Sequence, residues 1–289
     1  YWEYIEKVTD FVKTRVKTHI GEGSEADALI RVWKKYGVVP FDVYTGLLDN
    51  QEVYDHSKMF SEITKFLQSV KDNGLWNEDF VVQSVKNILN TYMKEPPKEF
   101  IFDGKKWAPR DFLNSYLKLN LDDCVSIISL NKYPLYEKIV YEVPDNWWFG
   151  ADYYNVTLNE FMEILNNAIS NGYSMAIGGD VSEPGIDSWN KVAIVPEFDI
   201  PSDKINDDAR MFRFYNETTT DDHGMHLVGY TDIDGKRWYL IKDSGAGSRN
   251  TGDKGYYFFN EDYIKLKIVD FLVHKNAIPE KIKSKLNIK

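Results

Sequence analysis

The densest group of chemically reactive side chains lies between residues 221 and 243. It begins with Asp221, Asp222, His223 and His226 and ends at Asp243. An imidazole that transfers a proton works best when a carboxylate fixes its tautomer and orientation, and a nucleophile completes such a site. One of the two histidines together with Asp243 could therefore supply the base and the orienting group of a nucleophilic site.

A β-hairpin should position these side chains. The dipeptide Asp234-Gly235 is a two-residue turn signal between the β-type runs MHLVGYTDI and KRWYLIKD. A strict two-residue turn would set Asp243 opposite His226. One additional residue in the turn would place Asp243 on the face of His223, because a slip of one residue exchanges the two faces of a strand. Periodicity alone leaves both registers open.

Two other interpretations of this segment remain. A metal site could use His223 and His226 with the two preceding aspartates, but side chains three residues apart on a regular strand point to opposite faces. The spacing also differs from the helical HExxH pattern of zinc peptidases. Alternatively, these residues are polar groups on the edge of a hairpin. We predict neither a metal ion nor another cofactor.

Composition limits the classes of function. The formal net charge of -10 argues against nucleic acid as a partner, because phosphate binding needs clustered Lys and Arg. No apolar run approaches the roughly 18 to 20 residues that cross a bilayer, so we expect no membrane span. A single cysteine, Cys124, excludes an internal disulfide and a cysteine-based zinc site. The sequence thus predicts a globular chain with a substantial core.

The first half of the chain reads as helical and the second half as β-rich. Apolar residues at helical spacing predict three helices, which end at Gly37, near Gly74 and before Pro96. The segment FIFDGKKW predicts a short hairpin, and Thr157 with Glu160 predicts a capping box. Further β-type runs are YSMAIGG, KVAIVPEF, MFRFY, GYYFF and IVDFLVHK.

Several segments, in order, resemble the papain-like cysteine peptidases and in particular the bleomycin hydrolases and aminopeptidases C. DHGMHLVGY, YLIKDSGAG and KGYYFF resemble the family's D-H-A, I-K-N-S-W-G and G-Y-rich strands. GEGSEADALIRVWKKYGVVP resembles its Gly-Gly segment with the following helix, and YMKEPPKEFIFDGKKW its helical insertion. The resemblance implies an α+β, two-lobed papain-like fold, with a mostly helical lobe over 1–148 and an antiparallel, barrel-like β lobe over 149–289.

The resemblance also assigns residues. His223 matches the catalytic imidazole, and Asp243 matches an orienting residue that is Asn in the family. Gly23, Ser24 and Asp222 match substrate-binding positions. The anionic Asp243 should favour the imidazolium, and therefore a thiolate–imidazolium pair. The N-S-W-G pattern becomes Asp-Ser-Gly-Ala here, so the family's shielding tryptophan is absent.

The nucleophile matches nothing in this sequence. In the family, the cysteine and the oxyanion-binding glutamine precede the matched segments, and we expect residue 1 to be internal to a longer protein. Cys124 is then a buried small hydrophobe or, alternatively, a partner of His223. The resemblance implies a cysteine-type, aminopeptidase-like enzyme acting on peptides, inactive as residues 1–289 alone. Alternatives are a catalytically inactive papain-like peptide-binding protein and an unrelated binding module. A homo-oligomer, and a cytoplasmic or bacterial periplasmic location, remain open.

Overall fold

The computed structural model describes residues 1–15 and 17–289, which form two compact units. The first unit comprises Tyr1–Ser24, Ala28–Leu121 and Pro144–Trp148. The second unit comprises Glu25–Asp27, Asp122–Val143 and Phe149–Lys289. Since short segments alternate between the units, the chain crosses more often than a single division at residue 148 implies. That division stays a prediction.

The first unit is mainly helical. Its helices are α1 (Trp2–Thr14), α2 (Asp27–Tyr36, whose first residue groups with the second unit), α3 (Ser57–Asp72), α4 (Glu78–Met93) and α5 (Pro109–Asp111), which continues as a π-helix over Phe112–Leu117. The strands β1 (Phe100–Phe102) and β2 (Lys105–Trp107) form a hairpin. The predicted helices and hairpin are confirmed.

Apolar stripes on α1, α3 and α4 form the core of the first unit. Val8, Ile63, Val70, Val85 and Leu89 have no solvent exposure. Burying each such aliphatic side chain contributes roughly 1.5 to 3 kcal/mol. The stripe spacing read from the sequence therefore determines how these helices pack.

The second unit is built on one mixed sheet. Its strands are β3 (Cys124–Ile128), β4 (Lys138–Ile139), β5 (Tyr153–Asn155), β6 (Met175–Gly179), β7 (Ile186–Asp187), β8 (Val192–Ala193), β9 (His223–Ile233), β10 (Lys236–Lys242), β11 (Tyr256–Asn260) and β12 (Ile268–His274). They lie in the order β4-β5-β3-β12-β6-β9-β10-β11-β8-β7. Most neighbours are antiparallel, but β3 with β5 and β11 with β8 are parallel.

Helices complete the second unit. They are α6 (Leu158–Ser170), α7 (Asp207–Tyr215), α8 (Glu261–Lys267) and α9 (Glu280–Leu286). Thr157 and Glu160 form the predicted capping box at the start of α6, and fully buried Phe161 and Leu165 pack into the core beneath the sheet. The core therefore holds rigidly the central strands that carry the candidate site.

The α+β class is confirmed, with two local corrections. The prediction of a strand for MFRFY is wrong, because this run lies in α7. The side chain of Asn206 accepts a hydrogen bond from the amide of Ala209, and two aspartates in the first turn further stabilise the start of this helix. KVAIVPEF supplies only the two residues of β8. The closed, barrel-like form of the sheet stays a prediction. Across the described residues, no helix combines the length and apolarity that a membrane span needs.

Candidate active site

The β9–β10 hairpin decides which histidine shares a face with Asp243. Ile233 pairs with Lys236 across a two-residue turn, whose Asp234 and Gly235 have φ of 50° and 76°. Both values are left-handed, as a type I′ turn requires. The turn itself is therefore the strict two-residue form, which alone would direct Asp243 towards His226.

A β-bulge at Val228 reverses that outcome. Leu240 pairs with Gly229, but Ile241 pairs with Leu227, so Val228 is an extra residue in β9. One extra residue on one strand shifts the register by one and exchanges the faces beyond it. Beyond the bulge, Asp243 consequently lies on the face of His223.

His223 and Asp243 form a direct pair at the end of the hairpin. Nε2 of His223 lies 2.6 Å from Oδ1 of Asp243. The histidine side chain is 27% exposed and the aspartate side chain 9% exposed. The imidazole is thus reachable from solvent, while the carboxylate that holds it is largely buried.

The pair stabilises charge on both partners. The hydrogen bond to Asp243 raises the pKa of His223, and this effect outweighs the opposing effect of burial. Burial acts to raise the pKa of Asp243, but hydrogen bonds from His223 and from the backbone of Gly245 and Ser244 lower it below its usual value. The favoured state is an imidazolium beside a carboxylate.

The loop after β10 supports Asp243. The amide of Gly245 donates to Oδ1 of Asp243 at 3.1 Å, and a Cβ at this glycine would lie 2.9 Å from Oδ2. The amide of Asp243 donates to the carbonyl of Gly255 at 2.8 Å, and the hydroxyl of buried Ser248 donates to the carbonyl of Asp243 at 3.1 Å. A small residue is required at position 245 for this approach.

The other two residues of the motif are placed differently. Burial lowers the pKa of His226, with a further contribution from Lys242. Asp222 accepts hydrogen bonds from the amide of Val181 at 3.0 Å and the hydroxyl of Thr220 at 3.2 Å. Asp222 therefore fixes the loop that leads into His223, and its substrate-binding role stays a prediction.

Gly23 and Ser24 lie in the first unit, where both are engaged internally. The ammonium of buried Lys7 donates to the carbonyls of Gly23 and Gly21. The hydroxyl of Ser24 donates to Glu3 at 2.6 Å. Gly23 has a φ of 81°, a left-handed conformation that favours glycine. Their substrate-binding role also stays a prediction.

Cys124 lies far from His223 within the second unit. Cys124 pairs with His274 at one end of β12, whereas Ile268 at the other end pairs with Gly179, the partner of His223. Three strand spacings and about six residues separate the two side chains, roughly 14 Å across the sheet and 20 Å along it. The interpretation of Cys124 as the partner of His223 is wrong for this arrangement.

Sequence reasoning missed a set of carboxylates beside this site. Oxygen atoms of Glu25, Asp221 and Asp270 all lie within 4.8 Å of one another, whereas the two histidines of the motif are not part of this group. Only Asp221 belongs to the reactive stretch read from the sequence. Because the three positions are distant in the chain, spacing offered no signal for the cluster.

This chain is similar to several known proteins along nearly its whole length. A family model described as the Peptidase C1-like family matches residues 6–289. Aminopeptidase C of Streptococcus thermophilus is 25% identical, over 92% of this chain and 66% of its own length. Bleomycin hydrolase of Gallus gallus is 22% identical, over 90% of this chain and 64% of its own length. The chain thus spans about two thirds of the length of these curated relatives.

The fold is shared with a solved structure. The crystal structure of PepW from Lactobacillus rhamnosis matches with a TM-score of 0.69 at 20% identity, covering 99% of this chain and 71% of that chain. The resemblance to the papain-like cysteine peptidases is therefore confirmed. Because the family model matches nearly every residue, this chain belongs to the Peptidase C1-like family.

Proposed function

We propose that this chain is the His- and Asp-bearing part of a cysteine-type, aminopeptidase-like peptidase. The observation that carries the proposal is the 2.6 Å contact between Nε2 of His223 and Oδ1 of Asp243. Since Nε2 is engaged by the carboxylate, Nδ1 is the ring nitrogen that can exchange a proton with a thiol. His223 is the proton carrier and Asp243 is the residue that orients it.

The chemistry follows from the charge on this pair. A thiol transfers its proton to His223, and the resulting thiolate attacks the peptide carbonyl carbon to form a tetrahedral oxyanion. The imidazolium then protonates the departing amine, leaving a thioester. Water, deprotonated by His223, attacks the thioester and releases the carboxylic acid and the thiol. Hydrogen-bond donors, including a glutamine in the family pattern, stabilise the oxyanion.

The nucleophile in this proposal lies outside residues 1–289. Cys124 is separated from His223 by three strand spacings and about six residues along the strands, so it cannot attack a carbonyl held beside that imidazole. The glutamine for the oxyanion belongs to the same outside segment. Residues 1–289 alone are accordingly expected to hydrolyse no amide bond.

Peptide binding is the second part of the proposal. Gly23 and Ser24 pair with an extended substrate backbone, and Asp222 supports the loop beside the scissile bond. The carbonyl of Gly23 also accepts from Lys7, so substrate pairing at that oxygen shares it with an internal ammonium. The alternative, a catalytically inactive peptide-binding protein, binds peptides through these residues without turnover.

Replacing each histidine in the complete protein tests the proposal. His223→Ala should lower the hydrolysis of a fluorogenic aminoacyl amide by about 10³-fold or more, because the proton carrier is lost. His226→Ala is the matched control on the same strand and should keep most of the activity. Equal losses in both variants would contradict the assignment.

A thiol-reactive probe separates the peptidase from the inactive alternative. In the complete protein, labelling of one cysteine outside residues 1–289 should abolish turnover. A complete protein that binds peptides without hydrolysing them would support the binding protein. Turnover that depends on labelling at Cys124 would overturn the proposed arrangement.

A further inference from the structure

Three carboxylates from separate segments of the chain come together in the second unit. Glu25 follows the Gly23-Ser24 segment, Asp221 precedes His223 by two residues, and Asp270 lies in β12. One oxygen from each lies within 4.8 Å of the other two. Such spacing matches the separation of oxygen ligands around a single hard cation with bonds of about 2.0 to 2.6 Å.

The cluster is buried and contains an oxygen without a partner. Glu25 is 7% exposed and Asp270 is 2% exposed. Oδ2 of Asp270 is inaccessible to solvent and accepts no hydrogen bond from the described part of the chain. A buried carboxylate oxygen without a donor is costly, and an ion is one of the usual reasons that it persists.

The charged groups around Asp270 include both signs. Buried Arg210 attracts Asp270, but its guanidinium donates hydrogen bonds to the carbonyls of Ser129, Lys265 and Val269. Asp27 adds a negative charge that acts on Asp270. A cation bound among the carboxylate oxygens would offset the cost of burying negative charge here.

The backbone is shaped to admit these oxygens. A Cβ at Gly178 would lie 2.8 Å from Oδ1 of Asp270 and 3.2 Å from Oδ1 of Asp221. Gly224, which pairs with Gly178 in the sheet, has nothing within 4 Å of its own Cβ position. The absence of a side chain at Gly178 therefore lets the two carboxylates approach the backbone, and Asp221 is partly exposed.

We propose that Glu25, Asp221 and Asp270 form a binding site for one divalent cation beside the imidazole-bearing strand. The donors are exclusively carboxylate oxygens, so the site suits a hard ion such as Ca²⁺, Mn²⁺ or Mg²⁺. Tyr141 donates its hydroxyl to Oδ2 of Asp221 at 2.9 Å and thereby orients that ligand. Because the site joins the Glu25–Asp27 segment of the second unit to β12 and to the loop before His223, a bound cation stabilises these three segments together.

Calorimetric titration of EDTA-treated protein with Mn²⁺ and with Ca²⁺ at pH 8 tests the site. The wild-type protein should bind one ion, and binding should raise its unfolding temperature. Asp221→Asn and Glu25→Gln should each weaken binding by about tenfold or more, because each removes a charged ligand. Asp152→Asn is the matched control, since Asp152 is an exposed carboxylate that pairs with Lys138 and lies outside the cluster.

Each outcome decides the proposal without any activity assay. Circular dichroism verifies that every variant is folded, and Asp221→Asn is the preferred variant because Asp221 is only partly buried. Loss of binding in the two ligand variants with unchanged binding in Asp152→Asn supports the site. The proposal is overturned if no saturable binding occurs at pH 8, or if wild type and Asp221→Asn bind equally. In that case the carboxyl groups of the cluster share a proton instead of binding a cation. Neither result depends on the proposed peptidase function.

Discussion

Two aspartates of the second unit, Asp243 just after β10 and Asp270 in β12, have pKa values shifted in opposite directions. Asp243 is largely buried, yet hydrogen bonds from His223 and two backbone amides hold its pKa below the usual value, against the effect of burial. Asp270 is also buried, and there burial, together with the negative charge of Asp27, raises the pKa to about 7 against the hydrogen bond from Glu25 and the attraction of Arg210. The partners of a buried carboxyl group, rather than its burial alone, determine whether it is ionised.

The difference in pKa suits Asp243 and Asp270 to two kinds of chemistry. A carboxylate that stays charged can hold an imidazolium, which is the role proposed for Asp243. A carboxyl group that exchanges its proton near neutral pH responds to cations and to acid, which is the behaviour expected of Asp270. Replacing Asp243 should therefore affect activity, whereas replacing Asp270 should affect the pH dependence of stability.

Of changes to these two aspartates, replacing Asp243 should have the larger effect. In the complete protein, Asp243→Ala should lower kcat/KM for peptide hydrolysis by about 10²-fold or more, because the imidazole loses its orienting partner. Asp243→Asn should keep more activity, since an amide can still orient the ring. In this variant the pKa of His223 should be lower, which should move the alkaline limb of the pH–rate profile to lower pH. An unchanged profile in Asp243→Asn would contradict the charge-based role.

Asp270 should make stability depend on pH in the opposite sense from an ordinary paired aspartate. Its pKa is higher in the folded state than in the unfolded state, so the proton stabilises the fold, and this stability is lost as the pH rises from about 4 to about 7. Urea unfolding in EDTA should show a smaller loss between pH 5 and pH 8 for Asp270→Asn than for wild type. Equal losses would show that Asp270 does not titrate in this range.

Substitutions of the glycines that contact Asp243 and Asp270 should have smaller effects, on the stability of the fold. Gly245→Ala would crowd Oδ2 of Asp243 at 2.9 Å, and Gly178→Ala would crowd Oδ1 of Asp270 at 2.8 Å. We expect each to destabilise the fold by about 1 to 3 kcal/mol in urea unfolding. Gly224→Ala is the control, because nothing lies within 4 Å of its Cβ position. A control as destabilised as the other two would refute the steric argument.

Local sequence signals predicted much of the fold. The turn Asp234-Gly235, the capping box at Thr157 and the amphipathic stripes of α3 and α4 each act within a few residues, so periodicity and turn chemistry were sufficient. The run MFRFY was misassigned because its aromatic content resembles a strand, while the capping residue Asn206 that starts the helix lies outside the run.

Long-range features of the site could not be predicted in the same way. The bulge at Val228 depends on how β9 pairs with both β6 and β10, and nothing in the local sequence marks it. The convergence of Glu25, Asp221 and Asp270 likewise arises only when distant segments meet in the second unit. Sequence alone consequently left the choice between His223 and His226 to a family resemblance.

Nuclear magnetic resonance titration of the two histidines tests the central claim most directly. In the wild-type protein, His223 should titrate above the ordinary histidine pKa of about 6.5 and His226 below it. In Asp243→Asn, the pKa of His223 should fall while that of His226 stays unchanged, since only the former contacts residue 243. An unchanged His223, or a shift confined to His226, would show that the carboxylate at 243 does not hold the imidazole at 223.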